Sequence, residues 1–103
     1  MPLHKFNNPG LVYYKALSKY LELVKEIPEV VEVRLSGDDT LCTVISAPSD
    51  DDDILGQVID AELEVMREVK PQPFLFRVVN SRRMPQEGLK QRIGSFGDMI
   101  WKR

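Results

Sequence analysis

The chain has a single cysteine and a single histidine in 103 residues. An internal disulfide is therefore excluded, a thiolate metal cluster has no ligands, and the usual multi-histidine zinc sites cannot form. A Cys–His nucleophilic pair would need Cys42 and His4 within hydrogen-bond reach and a lowered thiol pKa. Cys42 falls inside a strand pattern and His4 in the opening arm, so Cys42 reads as a buried structural residue. No apolar run approaches membrane-spanning length, and MPLHKFNNPG lacks the apolar core of a signal peptide. The expectation is a cytoplasmic protein in a reducing compartment, with no membrane partner. No Gly-rich phosphate loop precedes a helix, and no internal repeat is present.

What is present is ordinary globular composition, 43% hydrophobic and 29% charged, enough for one domain over residues 1–103. Residues 1–10 read as an N-terminal arm, with Asn7 or Asn8 as a cap and Pro9 in the first turn of a helix. The charge is unevenly placed. Residues 1–80 carry 8 Lys+Arg against 14 Asp+Glu (net −6), whereas residues 81–103 carry 6 against 2 (net +4). An acidic body and a basic C-terminal tail attract each other, or the tail meets an anionic partner.

The chain is organised around residues 48–73. Four aspartates at 50–53 suit the positive end of a helix dipole, and Lys70 followed by Pro71 marks the other end. At about 100° per residue, Ile54, Leu55, Val58, Ile59, Ala61, Val65, Met66 and Val69 share one arc. Gln57, Asp60, Glu64, Arg67 and Glu68 lie opposite. Glu62 breaks this order, pointing between Leu55, Val58, Met66 and Val69. A carboxylate there must be bonded, paired, protonated or set at a rim or gap in the core. It either satisfies itself locally or lines a pocket or partner surface.

Residues 11–27 form a second amphipathic helix, with Tyr13, Leu17, Tyr20, Leu21, Val24 and Ile27 on its stripe and Pro28 at its end. The hydroxyls of Tyr13 and Tyr20 can reach a buried acceptor such as Glu62. Period-two patterns then predict strands at 30–36, 40–47 and 74–80, with a last short strand at 98–102. An odd loop after Leu35 would put Val31, Val33, Leu35, Leu41, Thr43 and Ile45 on the inner face, joined by Phe74, Phe76 and Val78. The opposite face would carry Val30, Glu32, Arg34, Leu75, Arg77 and Val79, with Glu32, Arg34 and Arg77 pairing across strands. Such a half-apolar open face calls for cover by a second copy or by the tail.

The predicted fold class is α+β, a two-layer sandwich with two helices on one face of a three- to four-stranded sheet. The order matches a ferredoxin-like sandwich whose first strand is moved to the end, which would seat DMIWK centrally beside residues 74–80.

Three motifs bear on chemistry. Asp51, Asp53, Gly56, Val58 and Glu62 fall at calcium-loop spacing, but Leu55 occupies a ligand place and a loop would destroy the helix. Gly94-Ser95 resembles the start of a nucleotidyltransferase site, yet five residues follow Asp98 and none is acidic. RNA-recognition sheets need aromatics on the open face, whereas Phe74 and Phe76 point to the helices. No metal or cofactor follows from any of these. The pairing of AELEVMR with FLFRVVN after a Pro-containing turn, then a short basic tail, resembles a group of small uncharacterised bacterial α+β proteins over residues 30–103; the resemblance implies no activity.

The leading functional expectation is a small intracellular, non-enzymatic interaction or regulatory domain that forms a homodimer through its open sheet face. The alternative is a ligand-binding protein or enzyme whose pocket is framed by Glu62 with Tyr13, Tyr20 or Asn80. A second alternative is nucleic-acid binding through Arg82, Arg83, Lys90, Arg92, Lys102 and Arg103.

Overall fold

Two helices and four strands follow one another as α1 (Pro9–Val24), β1 (Val30–Leu35), β2 (Thr40–Ile45), α2 (Asp52–Glu68), β3 (Leu75–Asn80) and β4 (Asp98–Lys102), with a 3₁₀ turn at Ser81–Arg83. They come from a computed structural model, which describes residues 9–48, 52–70, 73–83, 88, 91, 93 and 95–103. The fold is α+β, as expected. The caps at Asn7, Asn8 and Asp50, together with His4, Lys90 and Arg92, lie outside the described residues.

The apolar periods of the two helices decide which sides are buried. Ala16, Tyr20, Val24 and Ile27 of the first segment, and Ile54, Val58, Ala61, Val65 and Val69 of the second, form one core with Val30, Val33, Leu41, Ile45 and Phe74. The sheet order is β3-β2-β1-β4. β1 and β2 are an antiparallel hairpin in which Leu35 faces Leu41 and Val33 faces Thr43, so the five-residue connection has the expected odd parity. A bulge between Val30 and Glu32 changes one assignment. Val30 faces Ile45 and is fully buried, taking the inner position expected for Val31.

β3 runs parallel to β2, in unbroken register from Thr40–Leu75 to Ile45–Asn80. Parallel neighbours need a crossover of a dozen residues or more, and α2 supplies it. This pairing fills the place that a permuted ferredoxin-like order would give to the last strand. β4 instead takes the outer edge beside β1, antiparallel to it.

Two residues hold β4 there. Gly97 has φ +112, and an added Cβ would come within 2.4 Å of the Leu35 carbonyl oxygen. Only glycine allows this approach. At the other end the Arg103 guanidinium donates to the carbonyls of Lys25, Ile27 and Val30, each at 2.8 Å. Lys25 and Ile27 lie just beyond α1, so a cation sits at the negative end of its dipole.

Gly97→Ala is expected to cost about 2 kcal/mol or more, from the strained φ and the collision with backbone. Gly37→Ala, where nothing lies within 4 Å, should change stability by about 0.5 kcal/mol or less. Urea midpoints of the two variants check the contrast.

Candidate functional site

The expected polar residues do not converge on one place. On the helix side of the sheet, Tyr20 is fully buried and its hydroxyl bonds the Thr43 hydroxyl. Burial raises the Tyr20 phenol well above its ordinary value of 10.0, and the nearby charge of Glu62 pushes the same way. Its expected acceptor, Glu62, is therefore a neighbour and not the partner. The partner is Thr43, a buried polar side chain expected on the inner face, which pairs with Val33 across the hairpin. Tyr20 also stacks on Phe76 at 5.1 Å between centroids, and Tyr13 packs edge-on to Phe74 at 4.6 Å.

Asn80 is consumed by the end of β2. Its Oδ1 accepts from the backbone N–H of Ala47 (3.2 Å) and of Arg82 (3.1 Å), while its Nδ2 donates to the Ala47 carbonyl at 3.1 Å. It clamps a connection. It does not join Tyr13 or Tyr20 around Glu62.

On the outer face, Glu32 and Arg34 pair along β1 at 2.6 Å instead of across strands. Arg34 also donates to the Gly97 carbonyl at 2.8 Å. Arg77, opposite Cys42 in register, lies over the Phe96 ring at 4.7 Å. Cys42 and Val44, on this same face, are buried. Of the two covers anticipated for the outer face, the chain's own tail supplies one, through residues 95–97. Between them, Ser36, Thr40, Cys42, Arg77, Ser95 and Phe96 line a small cavity of about 140 Å³ with Asp38 at its rim. Burial pushes the Cys42 thiol up to about 11 despite Arg77 and Arg34 nearby. At pH 7 about one thiol in ten thousand is then ionised, far from an activated nucleophile.

Two of the tail's basic groups make contacts within the fold. Arg103 holds α1 and lies over Trp101 at 5.3 Å, and Arg82 donates to the Ser46 hydroxyl at 2.9 Å. The calcium spacing is carried by a continuous helix through Asp53, Gly56, Val58 and Glu62, which has no ligating loop. Among the described residues no three His, Cys, Asp or Glu side chains gather as a metal site. No described helix is long and apolar enough to cross a membrane.

The remaining candidate is α2 itself. Its apolar arc is wider than the seat it occupies. Val58 and Val65 are fully buried, with Ile54, Ala61 and Val69 beside them. Ile59 and Met66, expected on the buried arc, are 48% and 39% exposed, as is Leu63 at 48%. Relative to the predicted wheel the helix is rolled, so that Glu62 and Leu55 sit at the border between core and solvent. Among the described residues no hydrogen bond or ion pair reaches the Glu62 carboxylate, and partial burial raises its pKa above the ordinary 4.5. The groove between the helices is walled by Lys19, Leu23, Glu26, Gln57, Asp60 and Glu64, and Glu62 is not part of its lining. The exposed stripe was legible as Ile59, Leu63 and Met66 at spacings of four and three, but only the roll of the helix distinguishes it from core.

No protein-family description, curated protein or solved structure matches the chain.

Thr43→Val or Tyr20→Phe alone strands one buried hydroxyl and should cost about 1–3 kcal/mol, whereas the double variant should recover much of that loss; a urea double-mutant cycle checks this. For Glu62, a raised folded pKa means that ionisation penalises the fold. The penalty is full above the folded pKa and disappears as pH falls to the unfolded value near 4.5. Glu62→Gln should therefore be at least as stable as the parent at pH 7, with the difference closing towards pH 4.5 in melts across that range.

Proposed function

We propose that this protein is a non-enzymatic interaction module that associates with a second copy of itself, with the exposed stripe of α2 as the contact. The observation that carries this reading is the exposure of Ile59, Leu63 and Met66 on one helix face. Three large apolar side chains at helical spacing, at the side of a core already filled by their neighbours, gain free energy by leaving water. The outer face of the sheet, expected to be the contact, carries its own chain at Arg34, Cys42 and Arg77. We therefore put the association on the helix side. A regulatory role fits a module whose output is its state of association, and the resemblance to small bacterial α+β proteins remains part of this proposal.

The pocket reading finds less support, because Tyr20 and Asn80 are bonded elsewhere. The nucleic-acid reading loses Arg82 and Arg103 to contacts inside the fold.

Sedimentation velocity between about 10 and 500 μM should show a dimer that strengthens with concentration. Leu63→Lys should weaken it at least about tenfold, or 1.4 kcal/mol. Its melting curve should stay close to the parent's, because the site is exposed. A parent that stays monomeric over the whole range overturns the proposal.

A further inference from the structure

The stripe on α2 adjoins a second unsatisfied surface. α1 packs at the Trp101 side, where Ser18, Leu21 and Trp101 border one groove, and α2 packs on β3. α2 meets α1 through the Lys19–Glu68 ion pair at 3.3 Å and the groove holding Gln57 and Glu64. At about 100° per residue, Ile59, Leu63 and Met66 lie on the side of α2 turned away from α1. That side overlooks the outer edge of β3, where Phe76 and Val78 on the helix face are only partly buried.

β3 is an edge strand. Leu75 N–H donates to the Asp39 carbonyl at 3.0 Å, so the backbone groups of Leu75, Arg77 and Val79 turn towards β2. By alternation, those of Phe76 and Val78 turn outward. Among the described residues no strand pairs with them. The two edges of this sheet are not alike. β4 has five residues, charges at Asp98, Lys102 and the adjoining Arg103, and a register shift against β1 between Val33 and Arg34. Short length, charge and bulging are the features that protect an edge from pairing. β3 has six residues, no register shift against β2, and one charged side chain, Arg77.

We infer that the β3 edges of two copies pair antiparallel about a two-fold axis at Val78, making one eight-stranded sheet, with the two α2 stripes packed together above the joint. This inference rests on the self-association proposed above and adds its surface and register. The same axis sets α2 antiparallel to the partner copy's α2. The two helix dipoles then oppose. Helices pack about 8–10 Å apart, so this joint requires each α2 to lie about 5 Å from the axis, about one strand spacing. Charge excludes one register and strand length another, since an axis at Phe76 would pair only residues 75–77 of β3. With Val78 on the axis, Arg77 lies opposite the second copy's Val79; with Arg77 on the axis, two guanidinium groups would face each other, which destabilises a sheet pair. A six-residue edge about 20 Å long and about 15 Å high from strand to helix crest is smaller than the ~800 Å² per partner of a standard interface. The dimer should therefore be weak, populated at tens to hundreds of micromolar.

Amide hydrogen exchange read residue by residue on the full chain, at low and high concentration, tests this. The amides of Leu75, Arg77 and Val79 should be protected at both concentrations. Those of Phe76 and Val78 should slow at least about tenfold only in the concentrated sample. In an antiparallel bonded pair the Cα atoms stand about 5.5 Å apart, inside the range a disulfide spans. Val78→Cys should then form a covalent dimer on mild oxidation, while the parent, with only buried Cys42, should not. If the chain dimerises but Phe76 and Val78 exchange alike at both concentrations, edge pairing fails and self-association survives. Protection of Phe76 and Val78 already complete at the lowest concentration means the edge is covered within one chain, and overturns the inference. Faster cross-linking of Arg77→Cys than of Val78→Cys overturns the register. A chain that is monomeric throughout removes both this inference and the reading beneath it.

Discussion

A helix lying on a sheet beside one other helix is enclosed over only part of its circumference, and most of what is distinctive here follows from that limit. The apolar side chains of α2 span about half a turn of the wheel, from Ala61 and Ile54 round to Ile59 and Leu63. The seat formed by α1 and the sheet takes the part centred on Val58 and Val65, which are wholly buried. Rolling the helix the other way would bury Ile59 and Met66. It would also carry Glu62 into the core, where an ionised carboxylate without a partner is costly. The observed roll leaves Glu62 at the boundary, with its pKa raised but its access to water kept. Three apolar side chains are exposed as the consequence. The position of one acid and the exposure of a stripe are two sides of a single balance.

The sheet faces a similar limit, since β2 lies between two other strands and is buried on both sides from Leu41 to Ile45. Two helices cover one side only. The other is partly closed by residues 95–97, which bring Phe96 over Arg77 and the Gly97 carbonyl to Arg34. The same segment turns at Gly97 into β4, and the chain ends at Arg103 on the carbonyls that follow α1. The basic tail seen in the sequence thus meets the body at Arg103 through carbonyl oxygens and at Arg82 through the Ser46 hydroxyl. The guanidinium groups answer mainly to carbonyl oxygens and aromatic faces, contacts that net charge does not specify.

Elements were readable wherever one period ruled a segment. Both helices, the hairpin parity at Leu35 and Leu41, and the inward turn of Phe74 and Phe76 follow from local pattern alone. The bulge that exchanges Val30 for Val31 does not, because the two valines are indistinguishable by type. Strand order was misjudged at β4 for a related reason. DMIWK suits a central or an outer strand by composition, and its place depends on a glycine approach and an arginine at the far end of the chain. Of the candidate site, Glu62 was recognisable as an anomaly, but its surroundings depend on the roll of α2. The Tyr20–Thr43 bond was hidden because a threonine at an inner strand position reads as an ordinary β-branched residue.

A side chain that does chemistry needs its reactive atom available to a substrate, whereas one that holds a fold has already given that atom away. The polar groups singled out here are mostly of the second kind. Tyr20 is bonded to Thr43, Asn80 holds the backbone at Ala47, and Arg34 is divided between Glu32 and Gly97. Arg77 lies against a ring, and the Cys42 thiol is held protonated by burial. Glu62 is the exception, its carboxylate at the border of the core and unbonded among the described residues, and beside it lie the exposed apolar side chains of α2. A pocket turns polar atoms towards a ligand and keeps its apolar walls concave. Here most of the polar candidates are bonded within the fold, and α2 presents an apolar convexity instead, which is why the proposed function is contact with another protein surface. In the dimer we propose, a second copy of the chain meets the α2 crest and the β3 edge together, because the sheet's own geometry relates the two.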